Sequence, residues 1–159
     1  MSTAPCFEFE IRQGSADDVD SIMSVMKRAF DPLFGEAWTR SQCLGILPLS
    51  GVRLTLACSQ DRECLGFSLV RTILDEAELL LLAVDPETQR RGVGSALIED
   101  FIHTSRSGGA THLHLEVRDG NHAMEAYRHF GFEAVGRRAA YYTGPGGKQF
   151  DALTLQRVL

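Results

Sequence analysis

The hydrophobic positions of this chain follow the two-residue period of strands in some stretches and the longer period of helices in others. FEFEIR (7–12) alternates apolar and charged residues, as a half-buried strand does. After a capping box of Ser15 and Asp18, apolar residues between Val19 and Phe30 recur at helical spacing. The same reasoning predicts a helix from Thr39 to Leu47, strands over 52–59, 64–74 and 77–84, a helix over 94–107, a strand over 111–118, a helix over 123–130, and two closing strands around the turn TGPGG.

The order of these elements predicts a mixed α/β fold in a single domain, 1–159, with about seven strands and about four helices. Segment 77–118 is a strand–helix–strand unit, and such a crossover makes its two strands parallel. The chain of 159 residues is 44% hydrophobic and 23% charged, which allows one hydrophobic core.

Charge and composition narrow the class of protein. The formal net charge of −5 argues against a nucleic-acid binder that depends on positive potential. The first residues lack a signal-peptide pattern, and no apolar run reaches the roughly 20 residues of a membrane span. These features predict a cytoplasmic protein that binds neither nucleic acid nor membrane. Four cysteines without metal-ligand spacing are predicted to be partly buried free thiols: Cys6, Cys43, Cys58 and Cys64.

The loop after the third central strand combines two arginines with two glycines where a helix begins. A helix N-terminus presents unpaired N–H groups and a partial positive charge, so it binds anions. Gly92 and Gly94 leave room for close approach to the backbone, and Arg90 and Arg91 add charge. From these residues alone, a phosphate site and an ordinary turn with solubilising arginines both stay open.

Two familiar nucleotide sites do not fit this loop. A P-loop requires Gly-Lys followed by Ser or Thr, which does not occur here. The Rossmann fingerprint requires a third glycine where Leu97 stands. It also requires a tighter turn than the seven residues from Asp85 to Arg91, and more strands than remain in the chain. Both sites are therefore excluded.

A longer stretch around the loop carries a family resemblance. AVDPETQRRGVGSALIEDFI (83–102) resembles the acetyl-CoA signature Q/R-x-x-G-x-G/A of the GCN5-related N-acetyltransferases (GNAT). LEVR (115–118) and YRHFGF (127–132) are similar to that family's next strand and following helix end. With RRAAYY (137–142), these segments are most similar to the ribosomal-protein alanine N-acetyltransferases, the RimI group. The resemblance implies the GNAT fold and acetyl transfer from acetyl-CoA to a primary amine without a metal.

The resemblance also implies where acetyl-CoA binds. In the family, the backbone of the strand before the Asp-Pro pairs with the pantetheine arm of CoA, which carries over to Leu82, Ala83 and Val84. The pyrophosphate is expected on Gln89, Arg90, Arg91, Gly92, Val93, Gly94 and Ser95. Asn121 is expected to contact CoA, although NHAMEAY (121–127) is one residue shorter than the family spacing from Asn to Tyr.

The catalytic groups follow from the same resemblance. An α-amino group has a pKa of about 7.7–8.0 and lysine about 10.4, so a general base that deprotonates the amine speeds transfer. In RimI-like enzymes the glutamate of LEVR, here Glu116, is that base. The tyrosine of the Tyr-x-x-x-Gly-Phe helix end, here Tyr127, protonates the CoA thiolate. From the residues alone, a solvated strand carboxylate is the favoured interpretation of Glu116, and a core tyrosine is that of Tyr127.

The acceptor implied by the resemblance is the N-terminal α-amine of a ribosomal protein, which attacks acetyl-CoA directly in a ternary complex. It would lie between the first two helices and the final hairpin, with Tyr141 and Tyr142 as walls. These regions depart most from the family: DPLFGEAW (31–38) is longer than the expected link, and RRAAYY has an extra residue. The alternatives are a lysine or small-molecule amine as acceptor, and a non-catalytic acyl-CoA-binding regulatory domain.

Two histidines and a glutamate share one face of the predicted strand 111–118. Side chains at i, i+2 and i+4 of a strand point together, so His112, His114 and Glu116 are neighbours. No further ligand is evident for a metal, and none is expected. We expect instead that His114 lies near Glu116 and influences its proton affinity.

Overall fold

The computed structural model describes residues 7–159, which form seven strands and four α-helices. The strands are β1 Phe9–Gln13, β2 Val52–Ser59, β3 Cys64–Ile73, β4 Glu76–Val84, β5 His112–Arg118, β6 Glu133–Thr143 and β7 Gln149–Val158. The helices are α1 Val19–Ala29, α2 Arg40–Ile46, α3 Val93–Ser107 and α4 Ala123–His129. The predicted elements are all confirmed, and their ends shift by at most two residues.

The strands form one sheet in the order β1-β2-β3-β4-β5-β7-β6. Among the strands of residues 7–159, only β4 and β5 pair in parallel, and α3 connects them, as the strand–helix–strand unit predicted. The predicted hairpins β2–β3 and β6–β7 both form. The mixed α/β fold class with about seven strands and four helices is therefore confirmed.

Helices cover both faces of the sheet. Val25 and Met26 of α1 share one buried cluster with Phe67 and Leu69 of β3. On the opposite face, Phe101 of α3 and other apolar side chains of α3 and α4 pack on β4, β5 and β7. Burying each such side chain contributes about 1.5–3 kcal/mol. This packing fixes the position of α3 relative to the central strands.

A β-bulge in β4 changes which residues face each layer. Val70 of β3 pairs with Leu79, but Leu69 pairs with Leu81, so Leu80 is the extra residue. Before the bulge, Leu79 packs in the cluster beneath α3 and α4. After it, Leu81 packs in the cluster beneath α1 and α2. Because a bulge bends its strand, it also contributes to the opening beside β4.

Strands β4 and β5 part at this bulge. Their parallel pairing runs from Glu76 with His112 to Leu79 with Leu115 and ends there. The backbone from Leu80 to Val84 therefore has no partner strand on its β5 side, within the described part of the chain. The resulting cleft lies between the two strands that carry the resemblance to the GNAT family.

The structure also bears on the predicted capping boxes, cysteines and membrane spans. Both capping boxes form, at Ser15 with Asp18 and at Thr39 with Gln42. Of the cysteines, Cys43 and Cys58 are buried free thiols and Cys64 is a half-buried one, while Cys6 lies outside the described residues. Within residues 7–159, no helix has the length and apolar character needed to cross a membrane.

Candidate active site

Asp85 holds the start of the loop between β4 and α3 to the body of the protein. Asp85 is buried, accepts a hydrogen bond from the backbone N–H of Glu87 at 3.0 Å, and forms an ion pair with Arg28 of α1 at 2.7 Å. Beyond it, Arg90 and Gly92 have φ values of 64° and 87°, in the left-handed region. The loop is therefore anchored at Asp85 and turns sharply before α3 begins.

The N-terminus of α3 is open. Gly92 occupies the capping position and no side chain of residues 7–159 caps the helix, so the first N–H groups of α3 point out unpaired. A Cβ at Gly94 would meet only Val84 Cγ2, at an ordinary 3.6 Å, so packing inside the protein does not require glycine there. Gly66 of β3 differs, because a Cβ there would lie 2.8 Å from the carbonyl oxygen of Ala83.

The predicted pyrophosphate residues surround this helix end. Gln89, Arg90 and Arg91 are exposed, and the guanidinium of Arg91 lies 4.9 Å from the ring centroid of Phe7. Gln89 Nε2 donates to the carbonyl oxygen of Val84 at 3.4 Å. Exposed positive charge, unpaired N–H groups and an open backbone make this surface suited to an anionic ligand.

The cleft between β4 and β5 leads to a pocket that brings the two predicted catalytic residues together. Glu116 and Tyr127 both line it, although they come from β5 and α4. Predicted residues Leu82, Asn121, Tyr141 and Tyr142 line it as well. Ala83 is buried beneath α1 and does not line the pocket, so only its backbone is available on the cleft side.

The Glu116 side chain is only 7% exposed and both of its oxygens have partners. Arg138 Nε lies 3.0 Å from Oε1, and the Thr154 hydroxyl donates to Oε2 at 2.7 Å. Arg138 is 61% exposed, so this ion pair stands at the mouth of the pocket. Glu116 is therefore a fixed carboxylate with one partner that is free to move into solvent.

Tyr127 is buried, and its ring packs edge-on to Phe132 at 6.0 Å between centroids. None of the hydrogen bonds within residues 7–159 involves its hydroxyl. Burial, with the charge of Glu36 as a second cause, raises the pKa of Tyr127 well above the ordinary value of 10.0. The phenol therefore stays protonated at neutral pH and has a proton to donate.

The two hairpin tyrosines meet at the pocket because β6 is irregular. Arg138 pairs with Ala152 but Tyr142 pairs with Phe150, so β6 carries extra residues between them, and Ala140 has a φ of 53°. This bulge absorbs the extra residue seen in the sequence. Tyr141 and Tyr142 pack edge-to-face at 4.9 Å, and the Tyr142 hydroxyl donates to the carbonyl oxygen of Glu116 at 3.4 Å.

The two histidines of β5 have other partners. Glu78 of β4 is the direct partner of His114, and Glu116 acts on the imidazole only as a weaker nearby charge. His112 Nδ1 lies 2.9 Å from the Thr111 hydroxyl. Within the described residues, no group of three His, Cys, Asp or Glu side chains is placed to hold a metal ion.

The comparison with known families decides the identity. The model of the Acetyltransferase (GNAT) family matches residues 19–132, which include the open helix end and both predicted catalytic residues. The chain belongs to the GNAT family. It is an acetyltransferase, and the resemblance inferred from the loop motif is confirmed.

Individual proteins to which this GNAT acetyltransferase is similar are themselves named N-acetyltransferases. It is 37% identical over 103 residues to the [ribosomal protein bS18]-alanine N-acetyltransferase of Escherichia coli (strain K12), spanning 64% of this chain and 69% of that one. It is 34% identical over 102 residues to the protein of that name from Haemophilus influenzae, spanning 64% and 70%. The crystal structure of the Escherichia coli ribosomal-protein-S18-alanine N-acetyltransferase superposes with a TM-score of 0.82 at 28% identity, covering 95% of this chain and 94% of that one.

Several residues of the acetyltransferase pocket were not predicted from the sequence. Glu36, Glu78 and Arg118 line it, and Arg138 and Thr154 hold Glu116. Glu78, like Glu116, lies on a half-buried strand face, so its alternation with apolar neighbours could have suggested it. Glu36 lies in an irregular segment, where no periodic pattern indicates which way a side chain points.

Proposed function

We propose that this acetyltransferase transfers the acetyl group of acetyl-CoA to the N-terminal α-amine of a protein, with a ribosomal protein as the favoured acceptor. The identity with two [ribosomal protein bS18]-alanine N-acetyltransferases supports the class of acceptor. The observation that carries the proposal is the pocket in which Glu116 and Tyr127 meet beside the unpaired edge of β4.

Acetyl-CoA would bind along the cleft. Its pantetheine amides would pair with the backbone of Leu82, Ala83 and Val84, which has no partner strand on that side within residues 7–159. Its pyrophosphate would accept hydrogen bonds from the N–H groups of Val93, Gly94 and Ser95. Gln89, Arg90, Arg91 and Gly92 would form the surrounding loop. Asn121 lines the pocket at the start of α4, within reach of the acyl end.

The residues of the pocket support direct transfer between the two bound substrates. The neutral amine attacks the thioester carbon, and the C–S bond breaks as the tetrahedral intermediate collapses. Glu116 takes the proton that the amine loses, directly or through water, after Arg138 moves toward solvent. Tyr127 gives its proton to the departing thiolate, so CoA leaves as the thiol.

The acceptor would enter between the α1–α2 region and the β6–β7 hairpin. Trp38 and Phe30 line one side of the pocket, and Tyr141 and Tyr142 line the other. Tyr142 is half-buried and hydrogen-bonded, so it forms a fixed wall, whereas Tyr141 is 46% exposed at the entrance. Aromatic side chains around the carboxylates that line the pocket suit a peptide N-terminus, which presents a positive charge on an extended backbone.

Calorimetric titration tests the first half of the proposal. We expect acetyl-CoA to bind in preference to NADH and ATP, and no acetyl-CoA binding would overturn the cofactor site. Incubation with acetyl-CoA and a panel of N-terminal peptides, lysine peptides and small amines, read by mass spectrometry, tests the second half. Modification of a free small amine alone would overturn the peptide acceptor, and binding without any turnover would favour a regulatory acyl-CoA-binding domain.

A further inference from the structure

The segment between α1 and α2, Asp31–Trp38, is built as a fixed wall of the pocket. Asp31 accepts a hydrogen bond from the backbone N–H of Leu33 at 2.9 Å, which starts a single turn of 3-10 helix. The ring of Phe34 then packs edge-on to Phe150 of β7 at 5.1 Å. The turn at Asp31 and the contact of Phe34 therefore hold the first half of this segment against β7.

Two glycines let this wall touch the β6–β7 hairpin closely. A Cβ at Gly35, where φ is 66°, would lie 2.1 Å from the carbonyl oxygen of Thr143. A Cβ at Gly144 would lie 2.0 Å from the carbonyl oxygen of Leu33. The two backbones are therefore in direct contact at this point, and no side chain fits between them. The wall joins the N-terminal helices to the hairpin across the pocket.

The wall places one carboxylate, Glu36, inside the pocket. Its side chain is only 9% exposed, and its Oε1 accepts from Arg118 Nε at 3.1 Å and from Asn121 Nδ2 at 3.2 Å. The ring of Phe34 covers the Arg118 guanidinium at 3.6 Å. The position of Glu36 is therefore fixed from two sides.

The second oxygen of this carboxylate is unused. No hydrogen bond within residues 7–159 ends on Glu36 Oε2, although Glu36 lines the same pocket as Glu116 and Tyr127. After burial, the charge of Glu36 is the second cause of the raised pKa of both Tyr127 and Tyr142, and all three residues line the same pocket. Because this oxygen is not enclosed by protein and has no donor within residues 7–159, a ligand that brings an N–H group can reach it from the pocket.

We infer that Glu36 is the specificity-determining residue that recognises the amino group of the acceptor. The inference rests on the proposed acetyl transfer. A protonated primary amine brings a positive charge and N–H donors. Glu36 Oε2 has no such partner within residues 7–159. Glu36 would hold the acceptor amine beside the thioester, and Glu116 would take the proton that the amine loses. The pocket would then select amines by two carboxylates from different halves of the chain.

The competing role for Glu36 is purely structural, as a clamp on Arg118 and Asn121. Two substitutions separate the roles. Glu36→Gln keeps the size of the side chain and an oxygen that accepts from Arg118 and Asn121, but it removes the charge. Glu36→Ala removes both. Glu99→Gln is the matched control, because Glu99 is exposed on α3.

Steady-state kinetics with an N-terminal peptide give the first test. For Glu36→Gln we expect the KM of the peptide to rise by about 10- to 100-fold, as for a lost hydrogen bond to a charged group. The calorimetric affinity for acetyl-CoA and the melting temperature should match those of wild type and Glu99→Gln. A wild-type KM for the peptide in Glu36→Gln would overturn the inference, whatever Glu36→Ala does.

Peptide binding gives a second test that needs no turnover. The protein saturated with CoA is titrated with one peptide carrying a free N-terminus and with the same peptide already acetylated. We expect wild type to prefer the free amine by about tenfold and Glu36→Gln to lose that preference. If wild type prefers the free amine through Glu36 but acetylates no peptide, the role of Glu36 is supported and the proposed function is contradicted. If the peptide is acetylated but Glu36→Gln keeps the preference for the free amine, the proposed function is supported and the role of Glu36 is contradicted.

Discussion

Glu78 and His114 are direct register partners on the parallel strands β4 and β5, and 3.7 Å separates Glu78 Oε2 from His114 Nε2. The ion pair with Glu78 raises the pKa of His114 above 6.5, and the same pair lowers the pKa of Glu78 below 4.5. The pair lies one row before Leu79 with Leu115, the last pair of β4 and β5 before the cleft opens. Its charge state therefore bears on the stability of the point where the strands part.

The direction of each pKa shift determines the pH range in which the Glu78–His114 pair stabilises the fold. The His114 contribution is complete below pH 6.5 and is lost as pH rises through its raised pKa, while that of Glu78 is lost as pH falls through its lowered pKa. We expect His114→Gln to lower the melting temperature more at pH 5.5 than at pH 9, by roughly 2–4 °C or less, because a half-exposed pair contributes at most about 1 kcal/mol. Equal losses at both pH values would contradict this.

Exposed His103 of α3 provides the control, since it has no ion-pair partner among residues 7–159. His103→Gln should change the melting temperature equally at the two pH values. The pH–rate profile of His114→Ala tests the further hypothesis that His114 influences Glu116. An unchanged profile would leave Glu78 as the only carboxylate on which His114 acts.

Gly94→Ala separates ligand binding from stability. Gly94 lies in the first turn of α3, and alanine stabilises a helix by about 0.5–1 kcal/mol relative to glycine where its Cβ fits. The open space around Gly94 predicts an equal or higher melting temperature, but a methyl group would stand where we propose that the pyrophosphate binds. We expect the calorimetric Kd for acetyl-CoA to rise by about tenfold or more.

The same substitution at Gly66 gives the opposite pattern and serves as the comparison. A Cβ there would meet the carbonyl oxygen of Ala83 at 2.8 Å and Val93 Cγ1 at 3.2 Å, so Gly66→Ala should lower the melting temperature. If Gly94→Ala binds acetyl-CoA as wild type does, the pyrophosphate does not contact the backbone of α3 as proposed.

The sequence predicted the fold well because its signals are local. Alternation, capping boxes and Gly-rich turns each depend on neighbouring residues, and the crossover 77–118 fixes the one parallel pair. The motif at Gly92 and Gly94 likewise depends on a single strand–loop–helix unit. Glu116 and Tyr127 come from separate elements, and only the resemblance to a family, not the pattern, predicted that they share a pocket.

The remaining site residues depend on contacts across the chain. Glu36 reaches Arg118 because Gly35 and Gly144 allow two backbones 109 residues apart to touch, and neither glycine is distinctive in the sequence. Arg138 reaches Glu116 from β6, which pairs with β7 through irregular register. His114 pairs with Glu78 because β4 and β5 align Glu78 opposite it. Such registers follow from packing of the whole sheet and not from local spacing.

Tyr127→Phe tests the proton donor. The phenyl ring keeps the contact with Phe132, and the hydroxyl has no hydrogen-bond partner within residues 7–159, so the fold should not lose stability. We expect kcat to fall by about 10²-fold or more, because the CoA thiolate would leave without a proton. The Kd for acetyl-CoA and the melting temperature should stay at their wild-type values. A wild-type kcat would show that the thiolate is protonated by another group or by water.

Glu116→Gln tests the base through the pH dependence of the rate. The amide can still accept the hydrogen bond of the Thr154 hydroxyl, but it does not take a proton from an amine. At pH 7 an α-amine with a pKa of about 7.7–8.0 is mostly protonated, so we expect kcat/KM to fall by about 10²- to 10⁴-fold.

Above about pH 8 most of the amine is already neutral, so the deficit of Glu116→Gln should shrink steadily as the pH rises toward 9. Glu133→Gln on the exposed strand β6 is the matched control and should follow wild type at every pH. A deficit that is constant with pH would mean that Glu116 positions the acceptor and Arg138 without accepting its proton. No deficit at any pH would remove Glu116 from the mechanism, and Glu36 would then be the carboxylate placed to take the proton.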